Sequence, residues 1–178
     1  MADDRAQRRG FVHVYTGDGK GKTTAAFGLA MRAAGHGRRV IVLQFMKADP
    51  LAGVTVVAQR RGIEVAQCGL DHWVVRGEAG DDDRAAADAG LARAREVLRR
   101  GDHDLVVLDE LITSVFFELV SVDGVLALLR ERPVHVELVL TGRRCPPEIE
   151  EAADLVTEMR PVKHYYDAGV EAREGIEF

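Results

Sequence analysis

The sequence predicts an α/β fold with a central, mostly parallel β-sheet flanked by helices. Three observations carry that prediction. Short apolar runs alternate with helical patterns along most of the chain, the arrangement of strands joined by crossover helices. A glycine-rich turn, Thr16-Gly17-Asp18-Gly19-Lys20-Gly21-Lys22-Thr23-Thr24, follows the first apolar run and opens the first helix, the context that a phosphate-binding P-loop requires. A later apolar run, Leu105-Val106-Val107-Leu108, ends in the acidic pair Asp109-Glu110.

The elements follow in order. Phe11–Tyr15 is a short strand ending in the glycine-rich turn, and residues 22–34 form a helix that Gly35 is placed to stop. Arg39–Phe45 is a nearly continuous apolar run, as expected of a strand covered on both faces. Val54–Ala58 and Ile63–Ala66 are predicted as shorter strands. Residues 84–100 are rich in Ala and Leu and form a helix ending at Gly101. Asp104–Leu108 is a strand, and Val122–Arg130 is a helix stopping before Pro133. Val134–Leu140 is a strand followed by Thr141-Gly142. Pro146-Pro147 opens a helix through about Ala153, since proline is tolerated in a first turn. Leu155–Met159 is the last strand.

Composition bounds the function classes. The chain has 178 residues, 47% hydrophobic and 30% charged, which suits one domain over 10–178 behind a flexible charged arm, 1–9. The net charge is −5, so a general nucleic-acid binder, which carries a basic excess, is not expected. No apolar run approaches the ~18–20 residues of a membrane helix. The first ten residues lack the apolar stretch of a signal peptide. Two cysteines, Cys68 and Cys145, give no disulfide framework, and a cytoplasmic location follows as the expectation.

The chemistry sits in the turn. Glycines let backbone N–H groups turn inward around phosphate oxygens. The helix N-terminus adds unpaired donors and the positive end of its dipole. Lys22 would neutralise phosphate charge, and the Thr23 hydroxyl would ligate Mg²⁺, a hard cation that seeks oxygen. Thr16 stands where the general pattern has its first Gly. Carboxylates of Asp109-Glu110 could hold Mg²⁺ directly or through its waters. Together the two motifs give a nucleotide-binding protein and do not say what is done to the nucleotide.

Beyond that point the residues resemble a known family, the P-loop type of ATP:corrinoid (cob(I)alamin) adenosyltransferases. The resemblance runs through Val14–Gly28, Arg32-Ala33-Ala34-Gly35-His36-Gly37, Gln44-Phe45-Met46-Lys47, Leu108-Asp109-Glu110-Leu111, Leu140-Thr141-Gly142-Arg143, Ala153–His164 and the ending Asp167–Phe178. It covers roughly 10–47 and 83–178. It implies transfer of the 5′-deoxyadenosyl group of ATP to the cobalt of a reduced corrinoid, cob(I)alamin or a precursor, with release of triphosphate. ATP would lie reversed in the loop, leaving C5′ open to attack. Gly17, Asp18, Gly19, Lys20, Gly21, Lys22, Thr23 and Thr24 would form the loop around the triphosphate. Thr23 and Glu110 would hold Mg²⁺. Arg32 and Arg143 are further phosphate candidates. A homodimer and a flavin-type reductant also belong to what the resemblance implies. No side-chain nucleophile or base is expected, because cobalt(I) is itself the nucleophile.

Two departures stand out. Asp18 replaces the usual Asn, and a carboxylate beside a triphosphate should cost affinity unless it turns away or meets a cation. Residues 46–82 depart more, with Leu70-Asp71-His72-Trp73 as the nearest match to the family's Phe-x-Trp element. Trp73 is the candidate corrin-pocket aromatic. Two other readings remain at this level. One is a P-loop ATPase or kinase in which Asp109 binds Mg²⁺ and Glu110 orients water or a hydroxyl. The other is a non-catalytic nucleotide- or corrinoid-binding regulator. Cys68 and His72 have C-x₃-H spacing without a second ligand pair, and Asp81-Asp82-Asp83 is read as an exposed acidic cluster at a helix start.

Overall fold

The computed structural model describes residues 8–48, 53–72 and 74–177. Among these, six strands form one sheet: β1 (Val12–Thr16), β2 (Val40–Phe45), β3 (Glu64–Cys68), β4 (Leu105–Asp109), β5 (Glu137–Thr141) and β6 (Leu155–Glu158). Their order is β3-β2-β4-β5-β1-β6. Every neighbouring pair is parallel, so the sheet expected to be mostly parallel is wholly so. The helices are α1 (Lys22–Gly35), α2 (Gly53–Arg60), α3 (Asp81–Arg100), α4 (Leu111–Phe116), α5 (Val122–Glu131) and α6 (Pro147–Ala152).

Both faces of the sheet are covered, and successive strand residues alternate between two cores. On one face Ala26, Phe27 and Ala30 of α1 and Ala58 of α2 pack on Val42, Val107 and Val139. On the other, Leu98 of α3, Leu111 and Val115 of α4, Leu128 of α5 and Ile149 of α6 join Leu43, Leu108 and Leu140. This explains why β2 and β4 read as continuous apolar runs: every residue of both is buried. A parallel register carries the strand ends to one rim. Gln44 pairs with Asp109, Tyr15 with Thr141 and Thr16 with Glu158, so the glycine-rich turn, the end of β2, the acidic pair and the Gly142-Arg143 turn converge there.

The segment predicted as the strand Val54–Ala58 is helix α2. Its run of β-branched residues pointed to a strand, but β2 and β3 are parallel neighbours and need a crossover. The buried residues are Thr55 and Ala58, three apart, while Val54 and Val57 are exposed. The Thr55 hydroxyl donates to Gln44 Oε1 at 3.1 Å. Tertiary packing thus overrides propensity. The last core strand begins at Glu137 rather than Val134, because Pro133 starts a turn closed by the Val136 N–H on Pro133 O. Helix α4 and the 3-10 turn Tyr165–Ala168 were not foreseen. Residues 1–7 of the expected arm lie outside the described residues. Arg8 belongs to the folded part, donating to Asp104 Oδ1 at 2.9 Å.

The helical state of α2 has a direct test. Val57 is 46% exposed, so Val57→Ala removes little packing and improves helix propensity; stability in urea is expected to rise by about 0.5 kcal/mol. A loss of stability of similar size would indicate a strand.

Candidate nucleotide site at the carboxyl ends of the strands

The glycine-rich turn is held by close packing as well as by conformation. Gly17 has φ 93°, and a Cβ there would fall 2.5 Å from Met159 O; one on Gly19 would fall 2.6 Å from the same oxygen. The Gly19 N–H donates to Met159 O and the Met159 N–H to Thr16 O, which pins the turn against the end of β6. No side chain caps α1, whose N-cap is Gly21, so the N–H groups of its first turn are available to an anion. Lys22 is buried, and its Nζ donates to Gly17 O and Gly19 O at 2.7 Å each. Burial pushes the Lys22 ammonium below its usual range, with Arg143 acting in the same direction and Glu110, Asp18 and Asp109 opposing.

Beside the turn lies a buried carboxylate. Asp109 Oδ1 accepts from Thr23 Oγ1 at 2.9 Å and from Thr141 Oγ1 at 2.7 Å. Oδ2 accepts from Lys47 Nζ at 2.7 Å and Gln44 Nε2 at 3.1 Å. Burial alone would raise the Asp109 carboxyl; the Lys47 ammonium and the hydrogen bonds from Lys47, Thr141 and Gln44 outweigh it and hold the group below the usual carboxylate range. Glu110 follows in the left-handed region, φ 62°. Its N–H donates to Thr141 Oγ1, and its carboxylate accepts from Thr113 Oγ1. Thr113 Oγ1 also accepts from the Arg143 N–H, so the end of β5 sets the position of Glu110.

The predicted residues divide. Gly17, Gly19, Gly21, Lys22, Thr23, Glu110 and Arg143 meet at the rim, with Arg143 and Glu110 both near enough to influence Lys22. Asp18 meets a cation, as its position beside a phosphate loop demands: Arg144 Nη2 lies 3.4 Å from Asp18 Oδ2. Thr24 is exposed in the first turn of α1. Lys20 points elsewhere, donating to Ile176 O at 2.9 Å and pairing with Glu177. Arg32 is exposed in the last turn of α1, ten residues from Lys22 and so ~15 Å along the axis; the fold does not bring it to the loop. Trp73 lies outside the described residues. Asp83, read as part of an exposed cluster, instead accepts from the Gly80 N–H and pairs with His72 at 2.8 Å. Sequence reasoning assigned no role to Gln44, Lys47, Thr113, Thr141 or Met159. The available signal was Gln44, a polar residue inside an otherwise apolar strand.

Comparison with known proteins matches this arrangement to one family. The model of the ATP:corrinoid adenosyltransferase BtuR/CobO/CobP family matches residues 8–178. The chain belongs to that family. It is 41% identical to a corrinoid adenosyltransferase of Escherichia coli (strain K12) over 172 residues, 96% of this chain and 86% of that protein. It is 41% identical to the corrinoid adenosyltransferase CobA of Salmonella typhimurium over 97% of this chain and 87% of that one. A corrinoid adenosyltransferase of Pseudomonas aeruginosa is also 41% identical, over 96% and 84%. The ATP:corrinoid adenosyltransferase match includes the turn, the acidic pair and the Gly142-Arg143 turn.

The depressed Asp109 carboxyl sets a pH dependence. Its contribution to stability is complete above the unfolded value of about 3.9 and is lost as pH falls through the lower folded value. Asp109→Asn is expected to lose roughly 1–3 kcal/mol near neutral pH. The gap from wild type, followed by urea denaturation, should stay constant down to about pH 5 and narrow below about pH 4. A gap that does not change with pH would contradict an ionised, paired Asp109.

Proposed function

We propose that this protein transfers the 5′-deoxyadenosyl group of ATP to the cobalt of a reduced corrinoid. Membership of the family over residues 8–178, joined to an uncapped phosphate turn with Lys22 inside it, is the observation that carries the reading. The electron pair of cobalt(I) forms the Co–C5′ bond, the C5′–O bond breaks, and its electrons leave on triphosphate. No protein nucleophile is needed. Burial pushes the Cys145 thiol up to about 12 and the Cys68 thiol upward, so neither offers a thiolate near neutral pH.

The protein's part is placement and charge. Gly17, Gly19, Gly21, Lys22, Thr23 and Thr24 would surround the triphosphate, and Arg143 would approach it from the end of β5. Stabilising a polyanion as it leaves suits a buried ammonium and first-turn N–H groups. The Thr23 hydroxyl and the Glu110 carboxylate are hard oxygen donors and fit Mg²⁺, whose remaining ligands would be phosphate oxygens and water. Bound there, Mg²⁺ would neutralise phosphate charge. Trp73, which lies outside the described residues, would line the corrin pocket. A homodimer, a flavin-type reductant and a cytoplasmic location complete the reading, supported by the family resemblance. No described helix is long and apolar enough to cross a membrane.

Incubation with ATP, Mg²⁺ and chemically reduced cobalamin is expected to yield adenosylcobalamin and triphosphate; ADP and phosphate would overturn the reading. Lys22→Ala is expected to abolish turnover and severely weaken ATP binding, and normal turnover in this variant would remove Lys22 from the site. Glu110→Gln should raise the Mg²⁺ concentration needed for half-maximal activity. An unchanged requirement would take Glu110 out of the metal site.

A further inference from the structure

Lys47 has no role in the transfer described above, yet it is the cation paired with the buried Asp109 at the rim. Its Nζ lies 2.7 Å from Asp109 Oδ2 and 3.5 Å from Thr23 Oγ1. Thr23 gives its proton to Asp109 Oδ1. The lone pairs of its oxygen therefore face away from that carboxylate, and the Lys47 ammonium is what meets them. Those are the lone pairs a divalent cation would use. Asp109 is 0% exposed, and a carboxylate so buried needs a cation. Gln44 and Thr141 are neutral, so Lys47 supplies that charge directly. An ammonium and a divalent cation cannot share one side of Thr23 Oγ1 without strong repulsion.

We propose that Lys47 is the resident cation of the Thr23–Asp109 pair, and that Mg²⁺ arriving with nucleotide takes its place and frees the chain at the end of β2. The proposal rests on the reading that Thr23 ligates Mg²⁺. Freeing this point has a mechanical consequence. Met46, the preceding residue, is held at φ 54°. The backbone at 46–47 lies so close to Gly69 that a Cβ there would sit 2.3 Å from Lys47 N and 2.6 Å from Met46 C. Met46, Gly69, Leu70 and His72 line one depression. Lys47 is thus a positioning residue that ties the cation position to the wall of that depression, and its release on loading shifts the wall.

The test compares wild type, Lys47→Gln and Lys47→Arg, titrating Mg²⁺ at constant ionic strength. Melting temperature is read without nucleotide, and the Mg²⁺ requirement for ATP binding by calorimetry. Lys47→Gln is expected to melt lower than wild type without Mg²⁺, to recover when Mg²⁺ alone is added, and to bind ATP at about tenfold lower Mg²⁺, since the competing charge is gone. Lys47→Arg, which keeps the charge, should behave as wild type. A purely structural lysine would give a lowered melting temperature that Mg²⁺ does not restore, and that result overturns the proposal. An Mg²⁺ requirement in wild type that is unchanged in Lys47→Gln overturns it while leaving the metal reading intact. If ATP binding needs no Mg²⁺ in any of the three, both fall. Should Lys47→Gln fail to fold, hydrogen exchange in wild type decides. Adding Mg²⁺ and ATP should speed exchange at residues 46–48 while slowing it at 17–24. Slower or unchanged exchange at 46–48 overturns the displacement.

Discussion

A single buried carboxylate organises the rim of this sheet. Asp109 has no exposed surface, and an ion so placed loses several kcal/mol of hydration that only close partners can offset. Four residues supply them: Thr23 from α1, Gln44 from β2, Lys47 just beyond it, and Thr141 from β5. Each partner fixes one end of one element relative to β4. The parallel register and the covered faces build the sheet, but the satisfaction of Asp109 brings the phosphate turn, the acidic pair and the end of β2 into one place. Glu110 inherits its position from the same set, since its N–H ends on the Thr141 hydroxyl that donates to Asp109.

The phosphate turn is braced from its far side. Met159 at the end of β6 packs so closely on Gly17 and Gly19 that any Cβ at either would collide with its carbonyl oxygen. These two glycines therefore serve packing together with phosphate access. Beyond them the chain end reaches Lys20 through Ile176 O and Glu177. Hydrogen bonds to Glu177, first from Tyr165, then from Arg173 and Lys20, bring its carboxyl down to about 2. The turn is thereby pre-arranged: its basic side chains are engaged by protein, while the first-turn N–H groups of α1 have no side-chain cap. Preorganised donors of this kind lower the reorganisation needed as negative charge develops on a leaving group.

Much of this was legible in the sequence where local pattern and tertiary role agree. The apolar runs of β2 and β4 announce strands buried on both faces. Gly17 through Thr23 announce a turn into a helix, and Asp109-Glu110 marks the facing strand end. Legibility failed where the deciding contact lies far along the chain. The Val-Thr-Val-Val run of α2 has strand propensity, and only the parallel pairing of β2 with β3 makes it a crossover helix. Lys20 sits in the loop motif, but its partner is 156 residues away. Arg32 belongs to a motif that the helix rise carries away from the phosphates. Lys47, just past β2, and Thr141, the last residue of β5, look ordinary until the register sets them around Asp109. Asp18 looked costly beside a polyanion until Arg144, in a left-handed turn at φ 58°, was found facing it.

The central claim is that the rim holds the phosphates so that the bond broken is C5′–O. It is tested most directly with ATP carrying ¹⁸O at the 5′ bridging position, incubated with the protein, Mg²⁺ and reduced cobalamin. Mass spectrometry of the released polyphosphate then locates the label. The account requires triphosphate that retains all three phosphorus atoms and carries the ¹⁸O. Label remaining on the nucleoside, with phosphate or diphosphate as the unlabelled product, would show that a P–O bond had broken and would contradict it.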